Sequence, residues 1–288
     1  MVLIAKCEKF LISDIDGTLA YRDVIPERVE SACLKLKGDG WTLMVATGRI
    51  LASALQHIRK IKASVPAIVY DGARIMDFER GMLFWEKKID CGLVKDVLLA
   101  GWDFGVGIQV MGDEKVFCRP HEEVVIDYFK SIGVEVEPNL TQPKELNSVY
   151  RVIFHGDEGL IKELYDHISG KFKDRTSITM AGEKFLDVLP PGVSKGHALS
   201  KILKMKGSSN KIVVAVGDHM NDETLLLKAH IAFAMQDAPD ALKKQADVVL
   251  PPAENGGFAE IVKYLEDEEF LFSVLSKKGL NIGECKDV

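Results

Sequence analysis

Asp14 and Asp16 stand two residues apart where an apolar run, Phe10-Leu11-Ile12-Ser13, passes through Ile15 into a glycine turn at Gly17. A β-rich apolar run that stops at a glycine predicts a buried strand ending at residue 13 or 14. Beyond the strand end the alternation of side chains relaxes. Both carboxylates can then face one pocket at the carboxyl edge of a sheet, where open α/β sheets bind ligands. Two carboxylates held close repel unless a cation or proton lies between them. The pair therefore asks for Mg2+, a hard ion that takes carboxylate and carbonyl oxygens and keeps several waters. An Asp pair at a turn can also solvate a loop and cap a helix. A calcium loop of the EF-hand kind does not fit: counted from Asp14, Leu19 stands where Gly is needed and Ile25 where a bidentate Glu is needed.

A second acidic group follows a second apolar run. Lys211-Ile212-Val213-Val214-Ala215-Val216 ends in Gly217-Asp218-His219-Met220-Asn221-Asp222. Parallel neighbouring strands would bring Asp14 and Asp218 to the same sheet edge, making Asp218 a third oxygen ligand with Asn221 and Asp222 as partners in or just outside the shell. Asn221 and Asp222 also suit the N-cap of the helix that follows, and the two roles are compatible. His219 lies inside this motif, where a backbone role suffices for it.

A phosphate pocket needs donors as well. Thr42 to Ala46 read as a strand that ends in Thr47-Gly48-Arg49, ahead of a helical pattern from Ile50 to Lys60. Thr47 and the backbone N–H groups at that helix start form an anion cradle, although Thr47 is equally suited to be a plain N-cap. Lys195 opens a helix after the turn Pro190-Pro191-Gly192. A lysine there is either solvated or the partner of a dianionic phosphate, neutralising charge that develops during transfer.

Taken together, Asp14-Ile15-Asp16-Gly17-Thr18-Leu19, Thr47-Gly48-Arg49, Lys195 and Gly217-Asp218-His219-Met220-Asn221-Asp222 resemble the four-motif series of haloacid-dehalogenase-superfamily phosphatases. Their order and spacing are similar to the Cof-type, sugar-phosphatase-like branch, which carries a large cap of the C2 type between the second and third motifs. The resemblance implies a Rossmann-like, doubly wound parallel sheet with an inserted α+β cap. It further implies that Asp14 attacks phosphorus and forms an aspartyl-phosphate, while Asp16 protonates the leaving group and then activates water. Mg2+ would sit on Asp14, Asp218 and the Asp16 carbonyl, Thr47 and Lys195 would hold the phosphoryl oxygens, and Asn221 and Asp222 would position the metal water and Lys195. Two residues depart from the family pattern: Asp71 precedes Gly72-Ala73 and Asp237 precedes Ala238, where Asn is common. Both add negative charge near the expected pocket edge.

The elements that must position these residues follow from the pattern. Strand 9–14, helix 27–38, strand 41–46, helix 50–60 and strand 67–70 alternate, which predicts a parallel sheet. From 77 to 190 the reading turns strand-rich: 83–89, 106–111, 115–118, 149–155, 177–180 and 185–189, with helices at 91–102, 120–132 and 157–172. Residues 1–76 and 191–288 therefore read as a catalytic core and 77–190 as an α+β cap that closes over the site, excludes water and sets specificity. Cap candidates for substrate contact are Asn147, Arg151, His155, Met180, Glu183 and Lys184. Arg151 leads them, because a guanidinium suits a second anionic group. Gly48 and Arg49 are candidates from the core. Residues 267–288 read as a helix and a loose tail.

Composition narrows the function classes. The 288 residues are 47% hydrophobic, enough for a sizeable core in about two domains. Thirty-seven basic against 43 acidic residues leave a net charge of −6 with no basic block, which argues against nucleic acid and against anionic membranes as partners. Cys7, Cys33, Cys91, Cys118 and Cys285 are odd in number and scattered without C-x-x-C, as suits a reducing cytoplasm. The seven histidines form no zinc motif, the N-terminus is too short and too charged for a signal peptide, and no run approaches a membrane span. The expected enzyme is a Mg2+-dependent phosphomonoesterase of small phosphorylated metabolites, as monomer or small homo-oligomer. A phosphomutase and a non-catalytic phospho-Asp receiver remain alternatives, Asp16 and the long insert counting against the receiver.

Overall fold

A computed structural model describes residues 7–180, 182–207 and 210–279. Five strands form a parallel sheet in the order Val248–Leu250, Ile231–Met235, Lys211–Gly217, Glu8–Ser13 and Trp41–Val45. The two central strands read as near-continuous apolar runs because both of their faces are covered. Leu11, Ile12, Val214 and Ala215 are fully buried, and each large aliphatic side chain so placed contributes about 1.5–3 kcal/mol. The chain runs from Glu8–Ser13 out to Trp41–Val45 on one side and reaches Lys211–Gly217 on the other. The switch point of the sheet thus lies at its centre, between the strands that deliver Asp14 and Asp218.

Two compact units divide the chain. The first comprises residues 1–47, 56–67 and 195–288, and the second 48–55 and 68–194. The second unit contains the whole 77–190 insert together with the start of the helix Leu51–Lys60. Its six-stranded sheet runs Ser177–Met180, Phe185–Leu189, Arg151–His155, Gly107–Met111, Lys115–Cys118 and Glu135–Glu137, antiparallel except for the last pair. The helices Cys91–Asp103 and Glu158–Phe172 supply Val97, Leu98, Leu164 and Ile168 to its core, with Val152 and Phe154 from the central strand. Gly101 lets that helix approach, since a β-carbon there would collide with the Phe154 ring.

The mixed α/β architecture agrees with the alternation read in the sequence, with one correction. Ala67–Val69 forms a strand, but it joins Arg74–Asp77 and Met82–Glu86 in a separate three-stranded sheet instead of extending the parallel one. Positive φ at Tyr70, Asp71 and Gly72 turns the chain sharply after Val69, which sends it into the antiparallel hairpin Arg74–Glu86. The C-terminal helix expected after 267 is present as Glu268–Lys277. The tail from 280 onward, with Cys285, lies outside the described residues.

Candidate active site

Asp14 is the first residue past its strand, and its N–H donates to the Val216 carbonyl at 3.1 Å. Asp218 follows Gly217 at the end of the neighbouring strand. Parallel pairing of Ser13 with Val216 therefore sets both carboxylates at one sheet edge. Ligand oxygens of Asp14, Asp218 and Asp222 all lie within 4.8 Å of one another, and all three residues are buried. Gly17, at φ +73°, is required at the turn, because a β-carbon there would collide with the Asp218 carboxylate. Thr18 Oγ1 donates to Asp218 Oδ1 at 3.0 Å.

Lys195 opens the helix Lys195–Lys206, which buries Ala198, Leu199 and Ile202 on one face. Its Nζ donates to Asp14 Oδ1 at 2.8 Å and to Asp222 Oδ1 at 2.6 Å. Gly196 permits that close seat: its N–H donates to Thr224 Oγ1 at 3.1 Å, and a β-carbon would strike the Thr224 carbonyl. The other oxygen of Asp222 accepts the backbone N–H groups of Asp218 and His219, at 2.9 and 3.2 Å. Asp222 thus orients Lys195 and braces the 218–219 turn.

Burial pushes the Asp14 carboxyl well above the usual range, with Asp222, Asp218 and Asp16 adding to it and Lys195 opposing. Asp222 is raised for the same reason, again against Lys195. Three buried acids facing Lys195, with the His219 ring on Asp218, carry more negative charge than these two groups offset, and every donor is a hard oxygen. That set suits a hard divalent cation. Asp16 is exposed at the rim, near enough for its charge to act on Asp14. Asn221 is half-buried on the turn Met220–Asp222. Thr47 is buried past the strand Trp41–Val45, whose pairing with the Asp14 strand continues through the bond from Ala46 N–H to the Ser13 carbonyl at 2.9 Å.

His219 has the backbone role expected of it, its N–H donating to Asp222 Oδ2 and its carbonyl accepting the Asp222 N–H, and its side chain adds a second one. Its Nδ1 pairs with Asp218 Oδ2, and that bond, ahead of the surrounding carboxylates, pushes the ring up to about 9. No spacing in the sequence signalled this pair. Thr18 was also missed as a partner of Asp218, although it stands inside the first motif.

The second unit holds the remaining candidates. Gly48, Arg49 and Arg151 come together there: Arg151 Nη1 donates to the Gly48 carbonyl at 2.7 Å, and Arg49 is buried with Nη1 on the Ser53 carbonyl at 3.3 Å. Arg151 Nε and Nη2 are forked on Asp187 at 3.1 and 2.6 Å, and Nη1 lies 3.0 Å from Asp71 Oδ2. A guanidinium engaged on every side in this way acts within the protein. His155 pairs with Glu122 at 3.4 Å and packs near the Phe185 ring, and Met180 leans on the hydrophobic core. Asn147, Glu183 and Lys184 are exposed, as is Asp237 in the first unit.

A parallel α/β sheet that presents three buried carboxylates and a lysine at its switch point defines the haloacid-dehalogenase class of fold and site. The chain belongs to the haloacid dehalogenase-like hydrolase family, which matches residues 11–262. It is similar to an HMP-PP phosphatase of Escherichia coli (strain K12), 27% identical over 234 residues, or 81% of this chain and 85% of that one. An HMP-PP phosphatase of Shigella boydii matches the same share of this chain at the same identity, covering 89% of its own length. Among solved structures, a haloacid dehalogenase-like hydrolase from Bacteroides thetaiotaomicron superposes with a TM-score of 0.76 at 19% identity, over 89% of this chain and 99% of that one. A HAD subclass IIB sugar phosphatase superposes at 0.74 and 24% identity, over 89% and 98%. Among the described residues, no helix is long and apolar enough to cross a membrane.

Proposed function

We propose that this enzyme, a phosphatase of the haloacid dehalogenase-like family, is a Mg2+-dependent phosphomonoesterase of small phosphorylated metabolites that works through an aspartyl-phosphate. The observation that carries the reading is the placing of Asp14 beside Asp218 on adjacent strand ends, with Lys195 bonded to the first. Asp14 and Asp218 would hold the cation, together with the Asp16 carbonyl and with support from Asn221 and Asp222. When bound, the cation would neutralise charge on the phosphoryl group and pair the two acids.

Asp14 must be ionised to attack phosphorus. Lys195 favours that state against burial and the three neighbouring acids. By holding Oδ1, the lysine leaves Oδ2 of Asp14 to form the new bond. Asp16, exposed at the rim, is suited to protonate the leaving alkoxide and then to take a proton from the water that opens the aspartyl-phosphate. Thr47 and the N–H groups of the Gly48-Arg49 turn ahead of the helix Leu51–Lys60 would hold phosphoryl oxygens, the Ala52 N–H of the helix itself being taken by the Glu114 carboxylate. Positioning and charge supply most of the acceleration in phosphoryl transfer.

The relatives guide the choice of substrates, since one group is named for HMP-PP and a fold neighbour for sugar phosphates. Phosphate release is to be measured with Mg2+ on a panel of sugar phosphates and on HMP-PP, beside Asp14→Asn. The expected result is turnover that falls at least about a thousandfold in the variant, because an amide cannot form the acyl phosphate. Turnover that survives in Asp14→Asn would remove the nucleophile from the proposal.

A further inference from the structure

We propose, resting on the phosphatase reading above, that Arg151 is a positioning residue whose guanidinium orients the peptide units of the Gly48-Arg49 turn. Arg151 opens the strand Arg151–His155 and is buried. Its Nε and Nη2 grip both oxygens of Asp187, which stands on the adjacent antiparallel strand Phe185–Leu189. This side-on fork is the most specific geometry available between a guanidinium and a carboxylate. With the ring of donors so fixed, Nη1 is aimed at the Gly48 carbonyl, 2.7 Å away. Asp71 Oδ2, at 3.0 Å, steadies the same nitrogen from the turn after Ala67–Val69.

The neighbouring carbonyl is held as well, since Tyr70 N–H donates to Arg49 O at 3.1 Å. Two consecutive carbonyls of one short turn are therefore tied down, and both tethers come from within the second unit. A trans peptide is planar, so its N–H points opposite to its C=O. Holding the carbonyls of Gly48 and Arg49 directs the N–H groups of Arg49 and Ile50 away from Arg151 and Tyr70. These N–H groups immediately precede the helix Leu51–Lys60, in which Ala52 N–H is already held by the Glu114 carboxylate, so the turn itself supplies the donors. The donors of the anion cradle are thus aimed by residues more than twenty and one hundred positions further along the chain.

Charge requires the same residue. Asp71 and Asp187 are both buried, and without a cation between them they would repel any phosphate brought to this turn. Gly48 completes the arrangement, because a β-carbon there would collide with Arg151 Nη1 and Asp71 Oδ2. A lysine at 151 would keep the charge but could not fork on Asp187 while reaching Gly48.

The test uses the full-length enzyme with Mg2+ and its best substrate from the panel, comparing wild type, Arg151→Lys, Asp187→Asn and the double variant below each one's melting midpoint. Orthovanadate, a phosphate mimic, serves as inhibitor. Each single variant is expected to lower kcat/KM on the order of 10- to 100-fold, the scale of a small misplacement of catalytic groups. Vanadate inhibition should weaken in parallel, and the double variant should cost no more than the worse single one, since both break one set of contacts. Arg151→Lys within twofold of wild type, losses that add, or a fall in kcat/KM with vanadate inhibition unchanged would each overturn the inference. If Arg151→Lys does not fold, Asp187→Asn carries the same expectation. A wild type that releases no phosphate from any substrate removes the phosphatase reading and this inference with it, whereas an active wild type with unaffected variants removes the inference alone.

Discussion

The ammonium of Lys195 bridges Asp14 and Asp222, at 2.8 and 2.6 Å, with all three side chains buried. One cation thereby restrains two acids that burial alone would drive towards the neutral form. Asp222 returns the restraint, because its second oxygen is already committed to the backbone at 218 and 219. The lysine is therefore part of the charge balance of the fold itself.

Replacing Lys195 with Met keeps the length and removes the charge. Two buried carboxylates then lose their partner, and breaking a buried pair from one side costs about 3–5 kcal/mol. Urea denaturation in EDTA should show that loss, and phosphate release should fall at least about a hundredfold.

Divalent cation should stabilise the fold, since a ligand that binds only the native state adds about 2.7 kcal/mol at a hundred times its dissociation constant. Mg2+ titrated into EDTA-treated protein is expected to raise the melting midpoint and restore activity. In Asp218→Asn the rise should disappear. A midpoint indifferent to Mg2+ in the wild type would argue against the three acids as a cation site.

His230 provides a pH dependence separate from the acidic cluster. Its Nδ1 accepts the Val213 N–H at 3.1 Å, which requires the neutral ring, and burial followed by Lys278 holds its pKa below the ordinary 6.5. As pH falls through 6.5 the unfolded chain takes a proton that the folded ring resists. Stability from this group is thus present above 6.5 and lost as pH falls towards the depressed folded pKa. Melting midpoints between pH 5 and 8 should decline more steeply on the acid side in wild type than in His230→Gln.

The chemistry and most of the elements were legible in the sequence because they are local. The helix 27–38 and the strands 115–118, 177–180 and 185–189 occur with the bounds that periodicity indicates. Asp14 and Asp218 were legible because each directly follows an apolar run, and a strand end is a short-range property. Lys195 was legible only as a candidate, since its partner Asp14 lies 181 residues away.

Tertiary structure decided what depends on backbone turns and on distant pairing. The strand Ala67–Val69 joined a hairpin sheet because positive φ at Tyr70, Asp71 and Gly72 redirects the chain, and no alternation of residue types encodes that turn. The short strand Glu135–Glu137 pairs beside Lys115–Cys118 without an apolar run to announce it. Arg151 was readable from sequence as a residue suited to an anion. Its partners were not: Asp187 and Gly48 stand 36 and 103 positions away, and only folding reveals that its charge is spent on two aspartates and a carbonyl. Residue type and short spacing determine which chemistry a chain can attempt. Which donor meets which acceptor is set by contacts between segments far apart in sequence, and these exist only once the chain has packed.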